Sequence, residues 1–291
     1  MKRVTIIGLG LMGGSLGLAL RQAGLAEHIV GCGRPELQRR AIEMSAIDSG
    51  CTDVVESVAG SDFVFLCTPV ETSIALLQRI APHLSPEALV TDVGSTKSAF
   101  AAAAREIFGP SANQRVLPGH PLAGREVSGL EHAVADLYTN CVWVLTPLRD
   151  DAGGDAGHAA PIASHRALHS ALQTIGARVV FTTPEEHDRT LAYTSHLPQM
   201  LSTVLALTLE QAFGAGNPAL QIHAGGLRDM LRLARSEPSM WEQIATSNRQ
   251  NLAEAMQRME AELKAFRESL GSPEFRTKFE EAREFAKFLK G

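Results

Sequence analysis

Residues 3–17 read RVTIIGLGLMGGSLG. The β-rich run 3–8 passes straight into glycines at 8, 10 and 13, spaced G-x-G-x-x-G, with a helix predicted over 14–24. Gly8 permits the tight turn, Gly10 lets backbone approach a pyrophosphate, and Gly13 allows close strand–helix packing. The unpaired N–H groups of the helix start then face the anion. Leu11 and Met12, between the glycines, join Gly8, Gly10 and Gly13 as candidate cofactor-binding residues. The surroundings supply the specificity that a lone glycine loop lacks. Strand-like runs at 28–32, 62–67, 88–94, 115–119, 141–147 and 177–183 alternate with helical patterns at 35–45, 71–81, 96–108 and 161–175. That alternation predicts an α/β fold with a doubly wound, mostly parallel sheet covered on both faces.

At Thr183 the pattern changes. Thr183, Pro184 and Glu186 stand where an N-cap, a first-turn proline and a capping-box acid belong. From there to Gly291 only helical patterns follow, the last over 239–270. The reading is a dinucleotide-binding domain over 1–184 and an all-helical domain over 185–291. The stretch 150–160, DDAGGDAGHAA, reads as a mobile surface loop.

The bulk numbers exclude several classes. The chain has 291 residues, 45% of them hydrophobic and 20% charged, with formal net charge −5. That balance carries neither a nucleic-acid footprint nor a polybasic membrane patch. No apolar run reaches the roughly 18 residues of a membrane span, and glycines interrupt the apolar N-terminus, so a cytoplasmic protein without a signal peptide is expected. Cys32, Cys51, Cys67 and Cys141 lack metal-ligand spacing and read as reduced thiols; no metal is expected.

An NAD-binding loop should be followed, about 20 residues on, by an acid that reads the ribose 2′-OH. Gly33 and Arg34 occupy that place. A small residue followed by arginine suits a 2′-phosphate, so NADP is favoured over NAD. Arg39 or Arg40 can add a second charge, and Thr68 and Pro69 complete the candidate cofactor set.

The chemistry is expected at two histidines. VTDVGSTKSAF (90–100) puts Ser95 and Lys97 just past the fourth strand run. GHPLAG follows the fifth and sets His120 in a turn between Gly119 and Pro121. Both belong at the carboxyl edge of the sheet, facing the nicotinamide. A neutral imidazole there can take a hydroxyl proton while hydride leaves the same carbon. A second histidine, His196, precedes Pro198 in YTSHLPQ, and that proline should kink the helix beside it.

GLGLMGGS, TDVGSTK, GHPLAGRE, SHLP and GGLRDMLRLARSEPSMW, in this order, resemble the prephenate/arogenate dehydrogenase family of tyrosine biosynthesis. The likeness spans nearly the whole chain. It implies a Rossmann-type domain followed by a helical dimerisation domain, a homodimer, and oxidative decarboxylation of prephenate or arogenate with hydride passing to NAD(P). By position, His120 resembles the catalytic histidine and Ser95 its hydrogen-bonding partner. His196 resembles a histidine that helps to bind substrate, and Arg232 the arginine that holds a carboxylate. Glu126 resembles an acid at the site entrance and Trp241 a substrate-side aromatic; Gly225, Gly226 and Asp229 shape the loop before Arg232. Gln199 stands where prephenate-preferring members often carry histidine, and Arg125 where a small residue is common. Gln199 suggests a different substrate head group, hence an arogenate-type or dual-substrate enzyme. Nothing in the chain resembles a chorismate-mutase segment or a regulatory domain, so a monofunctional enzyme is expected. The rival readings are a β-hydroxyacid dehydrogenase and a non-catalytic nucleotide sensor.

Overall fold

The computed structural model describes residues 1–123, 127–148 and 163–288. Strand β1 (Arg3–Ile7) is the middle of a five-stranded parallel sheet and has neighbours on both sides. Chain order then gives helix α1 (Leu11–Gln22), β2 (His28–Cys32), α2 (Pro35–Glu43), β3 (Ser49–Cys51), α3 (Val54–Ser57), β4 (Phe63–Leu66), α4 (Val70–Ile80), β5 (Leu89–Asp92) and α5 (Ser98–Phe108). The sheet order is β3-β2-β1-β4-β5. Two apolar layers cover it, as period-2 alternation requires. Ile6 and Phe65 face Leu16 and Leu20 of α1, while Ile7, Val64 and Leu66 face Leu77 of α4 and Phe100 of α5.

Register sets where the site lies. Ile7 pairs with Cys32 and with Leu66, and Leu66 with Asp92. The carboxyl ends of four strands therefore align, and the order reverses at β1, where a crevice opens for a ligand. The three-residue β3 is too short to show a pattern in the sequence.

The parallel strand expected over 115–119 is reduced to one bridge, Val116 with Val90. After the short helix α6 (Ala112–Arg115) the chain forms a second sheet: β6 (Gly119–Leu122), β7 (Val142–Leu145), α7 (Ala163–Thr174) and β8 (Arg178–Phe181), ordered β6-β7-β8. β6 pairs antiparallel with β7, and His120 stands opposite Val144. His120 thus lies on a strand, not in a turn. Pro121 is compatible with this because β6 is an edge strand, which needs ladder donors on one side only. Residues 150–160 lie outside the described residues.

The helical region begins with α8 (Pro184–Leu191), where Thr183 Oγ1 accepts from the Glu186 N–H at 3.1 Å. The reciprocal half of the capping box is replaced: the Glu186 carboxylate meets Arg189 and Thr190 instead. Ala192–His196 form a π-helical turn, and α9 (Leu197–Phe213) continues with Pro198 in its first turn. This wide turn stands just before Pro198, where a kink is expected. Next come α10 (Gly225–Leu231), α11 (Pro238–Ser247), α12 (Arg249–Glu268) and α13 (Pro273–Phe288). The helical pattern over 239–270 is therefore two helices, broken at Asn248. Their own core is small, Ala192, Leu197 and Ala255, and α13 buries no residue among those described. Among the described residues no helix is long and apolar enough to cross a membrane.

Candidate active site

The glycine loop meets its physical requirements. Gly8 has φ +102°, and a Cβ there would lie 2.5 Å from the Cys67 carbonyl oxygen. A Cβ on Gly13 would collide with the Gly8 carbonyl, whereas the space around Gly10 is open. α1 starts at Leu11, with no side-chain cap and no acid in its first turn. Its leading N–H groups, those of Leu11 and Met12 included, are left for an anion. This cradle fits a dinucleotide pyrophosphate. Arg34 is the N-cap of α2, beyond the end of β2. Its side chain is 75% exposed and 3.6 Å from Glu36, a loose surface pair that leaves the guanidinium available.

Four of the sequence-derived positions meet in one cavity of about 270 Å³. Met12 of α1, Thr68 and Pro69 beyond β4, and Ser95 beyond β5 line it. Ser239, Met240, Gln243, Ile244 and Ser247 of α11 close the other side. The Thr96 hydroxyl donates to Ser247 Oγ at 2.8 Å, tying the β5 loop to α11.

His120 is not among the residues that line this cavity and is 9% exposed. A buried ion pair holds the backbone before it. Lys97 and Asp92 are fully buried against each other; Lys97 Nζ also donates to the Gly119 carbonyl at 2.8 Å, and Asp92 Oδ1 accepts the Gly119 N–H at 3.1 Å. A Cβ on Gly119 would sit 2.8 Å from the Trp143 indole nitrogen, so this clamp has room for glycine alone. Burial pushes the Lys97 ammonium below its usual range, and Asp92 opposes that shift.

Among the described residues the recorded hydrogen bond of His120 is to His187, and none joins it to Ser95. His120 Nδ1 lies 2.9 Å from His187 Nε2, and His187 Nδ1 lies 2.8 Å from Asp188 Oδ1. The Asp188 carboxylate also accepts the backbone N–H groups of Lys97 (2.7 Å) and Ser98 (2.8 Å), capping α5 from a distant helix. Burial works against its charge, but the bonds from His187, Ser98 and Lys97 prevail and hold its carboxyl below the usual range. Burial, reinforced by His187, Lys97 and His196, drives the His120 imidazole well below its ordinary value. Both of these effects favour a neutral ring.

His196, on the π turn, joins the same network. Asn248, in the break between α11 and α12, donates from Nδ2 to the Asp188 carbonyl at 2.7 Å and lies 3.2 Å from His196 Nδ1. Burial pushes His196 down to about 4. Trp241 stacks edge-on against it, with ring centres 6.1 Å apart, and its buried indole N–H has no hydrogen-bond partner among the described residues.

Gln199 is tied to the helical region by its amide. It is buried, its amide donates to the Leu233 carbonyl at 2.8 Å, and it accepts from Ser236 at 3.3 Å. Both ends of the amide thereby bond to the segment that carries Arg232. Arg232, Asp229, Gly225 and Gly226 are exposed on and beside α10. Arg125 and Glu126 lie outside the described residues.

Lys97, His187, Asp188 and Asn248 received no role from sequence. A helical projection of 184–191 puts His187 and Asp188 on one face with Pro184 and Leu191, and all four are buried. Two titratable groups on an apolar stripe were the available signal.

Comparison with known proteins gives the family. Residues 16–157 match the family described as prephenate dehydrogenase, nucleotide-binding domain, and residues 183–290 match prephenate dehydrogenase, dimerization domain. The cyclohexadienyl dehydrogenase of Zymomonas mobilis is 30% identical over 273 residues, covering 93% of this chain and 89% of that protein. The prephenate dehydrogenase of Lactococcus lactis is 30% identical over 250 residues, covering 85% of this chain; the chain spans only 65% of that relative's length. The crystal structure of Aquifex aeolicus prephenate dehydrogenase, in complex with hydroxyphenyl propionate and NAD+, superposes with a TM-score of 0.82 at 31% identity, covering 100% of this chain and 96% of that one.

Proposed function

This chain belongs to the prephenate dehydrogenase family, and from that premise we propose that it oxidatively decarboxylates prephenate or arogenate, giving 4-hydroxyphenylpyruvate or tyrosine. The observation that carries the reading is the cavity shared by Met12, Thr68, Pro69 and Ser95, backed by a buried histidine network. Family membership displaces the β-hydroxyacid dehydrogenase alternative.

NAD(P), when bound on the glycine loop, supplies the hydride acceptor. The chain's own groups do the rest. His120, held neutral by burial, takes the proton of the ring hydroxyl as hydride leaves C4. The C1 carboxylate departs as CO2, and the oxygen retrieves a proton as the ring becomes aromatic. Ser95, on the cavity wall, orients the reacting groups, and His196 with Trp241 packs the substrate side. Arg232 clamps a carboxylate. Since aromatisation drives the reaction, positioning is most of what the protein must add.

His120→Asn should abolish turnover of both substrates, followed at 340 nm, while cofactor still binds. Turnover at near-native rate would refute the assignment, and cofactor binding without any turnover by the native chain would favour a sensor. The exposed Arg34 supports NADP. Arg34→Ser should cost NADP about 10–100-fold in kcat/KM, the worth of one charge-assisted bond, and leave NAD unaffected. A native preference for NAD would overturn that choice. Gln199 supports the reading of an arogenate-type or dual-substrate enzyme, and kcat/KM compared for the two substrates tests it. The exposed Val204, Leu207, Phe213, Leu263 and Phe279 support a homodimer through the helical region; a monomer by light scattering would count against it.

A further inference from the structure

We propose that His187 is the positioning residue that fixes His120 in the tautomer able to accept a proton. This rests on the reading of His120 as the proton acceptor.

The inference follows donors and acceptors along one line. An ionised carboxylate can only accept. Asp188 takes N–H groups from Lys97, Ser98 and His187, so the proton of His187 sits on Nδ1. Neutral His187 then presents a bare Nε2, and at 2.9 Å from His120 Nδ1 that nitrogen requires a donor. His120 therefore carries its proton on Nδ1, and its Nε2 lone pair is the free one. With the proton on Nε2 of His120 instead, two lone pairs would face each other across a buried contact.

The reverse polarity would need His187 doubly protonated, donating from Nε2 and leaving His120 no lone pair for substrate. One feature opposes it. The Asp188 charge is already met by two backbone N–H groups at the start of α5, where the helix dipole favours an anion. A second cation is not required. The clamp of Asp92 and Lys97 on Gly119 holds the backbone of His120, so His187 needs only to hold the ring.

The test has two arms. In the native protein with 15N-labelled histidine, the ring spectrum should show His120 protonated at Nδ1 and bare at Nε2; a proton on Nε2 would overturn the proposal. In the second arm, His187→Leu removes the acceptor at similar volume, and His187→Gln puts an amide oxygen near the place of Nε2. The leucine variant should lose about 10–100-fold in kcat, with KM and cofactor Kd within about threefold of native. The glutamine variant should regain most of that loss. Native kcat in the leucine variant, or a glutamine variant equally slow, would overturn it. If the native chain turns over neither substrate, the functional reading fails while the ring spectrum still decides the tautomer.

Discussion

Lys97→Met tests the buried clamp beneath His120. Lys97 and Asp92 are both 0% exposed, so methionine would remove a cation from a fully buried pair. Asp92 would keep the N–H groups of Gly94 and Gly119, and the Gly119 carbonyl would lose its Lys97 donor. Breaking one side of such a pair costs about 3–5 kcal/mol, because the remaining charge stays buried. With a urea m-value of about 3 kcal/mol/M, the unfolding midpoint should fall by roughly 1–2 M. The double variant Asp92→Asn with Lys97→Met removes both charges and should recover more than half of the loss, giving a coupling well above the scatter of additive sites, about 0.5 kcal/mol. Circular dichroism in urea on the native chain, both single variants and the double variant measures this. If Lys97→Met costs under about 1 kcal/mol, the pair is not holding the β5–β6 junction and the reasoning fails.

Acid should weaken the fold through His196. Its folded value is pushed down to about 4, below the unfolded value of about 6.5, so the unfolded chain binds more protons between the two. Stability should therefore fall by up to about 3 kcal/mol as pH drops through that window, with His120 adding in the same direction. Asp188, whose carboxyl is shifted the other way, contributes only below the ordinary carboxylate range. His196→Gln should flatten the slope in denaturant titrations; a native profile flat from pH 4 to 6.5 would contradict the burial argument. Gly13→Ala drives a methyl into the Gly8 carbonyl and should cost about 1–3 kcal/mol along with cofactor affinity. An unchanged Kd by calorimetry would show that the loop tolerates the shift.

The sheet is legible where short, continuously buried apolar runs stand next to turn glycines. Val4, Ile6 and Phe65 announce central strands, and Gly8 and Gly13 announce the loop between strand and helix. β6 is not legible, because Gly119 and Pro121 look like a turn until an edge position and the hold on Gly119 make an extended run cheaper. Individual histidines are visible in sequence; their pairing is not. His120 and His187 are 67 residues apart, and only the docking of α8 against the start of α5 brings them together. Asn248 is hidden for a different cause: a helical pattern continues through it, and the break shows only where its amide has a buried partner. For Gln199, sequence shows the head group but not its bonds to Leu233 and Ser236.

The wide turn at Ala192–His196 has a consequence for any attempt to reshape this chain. Such a turn holds one residue more than a regular coil, and each added residue rotates the downstream helix by about 100°. The side chain at 196 points where it does because of that surplus. Excising a single residue from 192–195 would restore an ordinary coil of almost unchanged length and swing the imidazole away from Asn248 without disturbing the secondary-structure content.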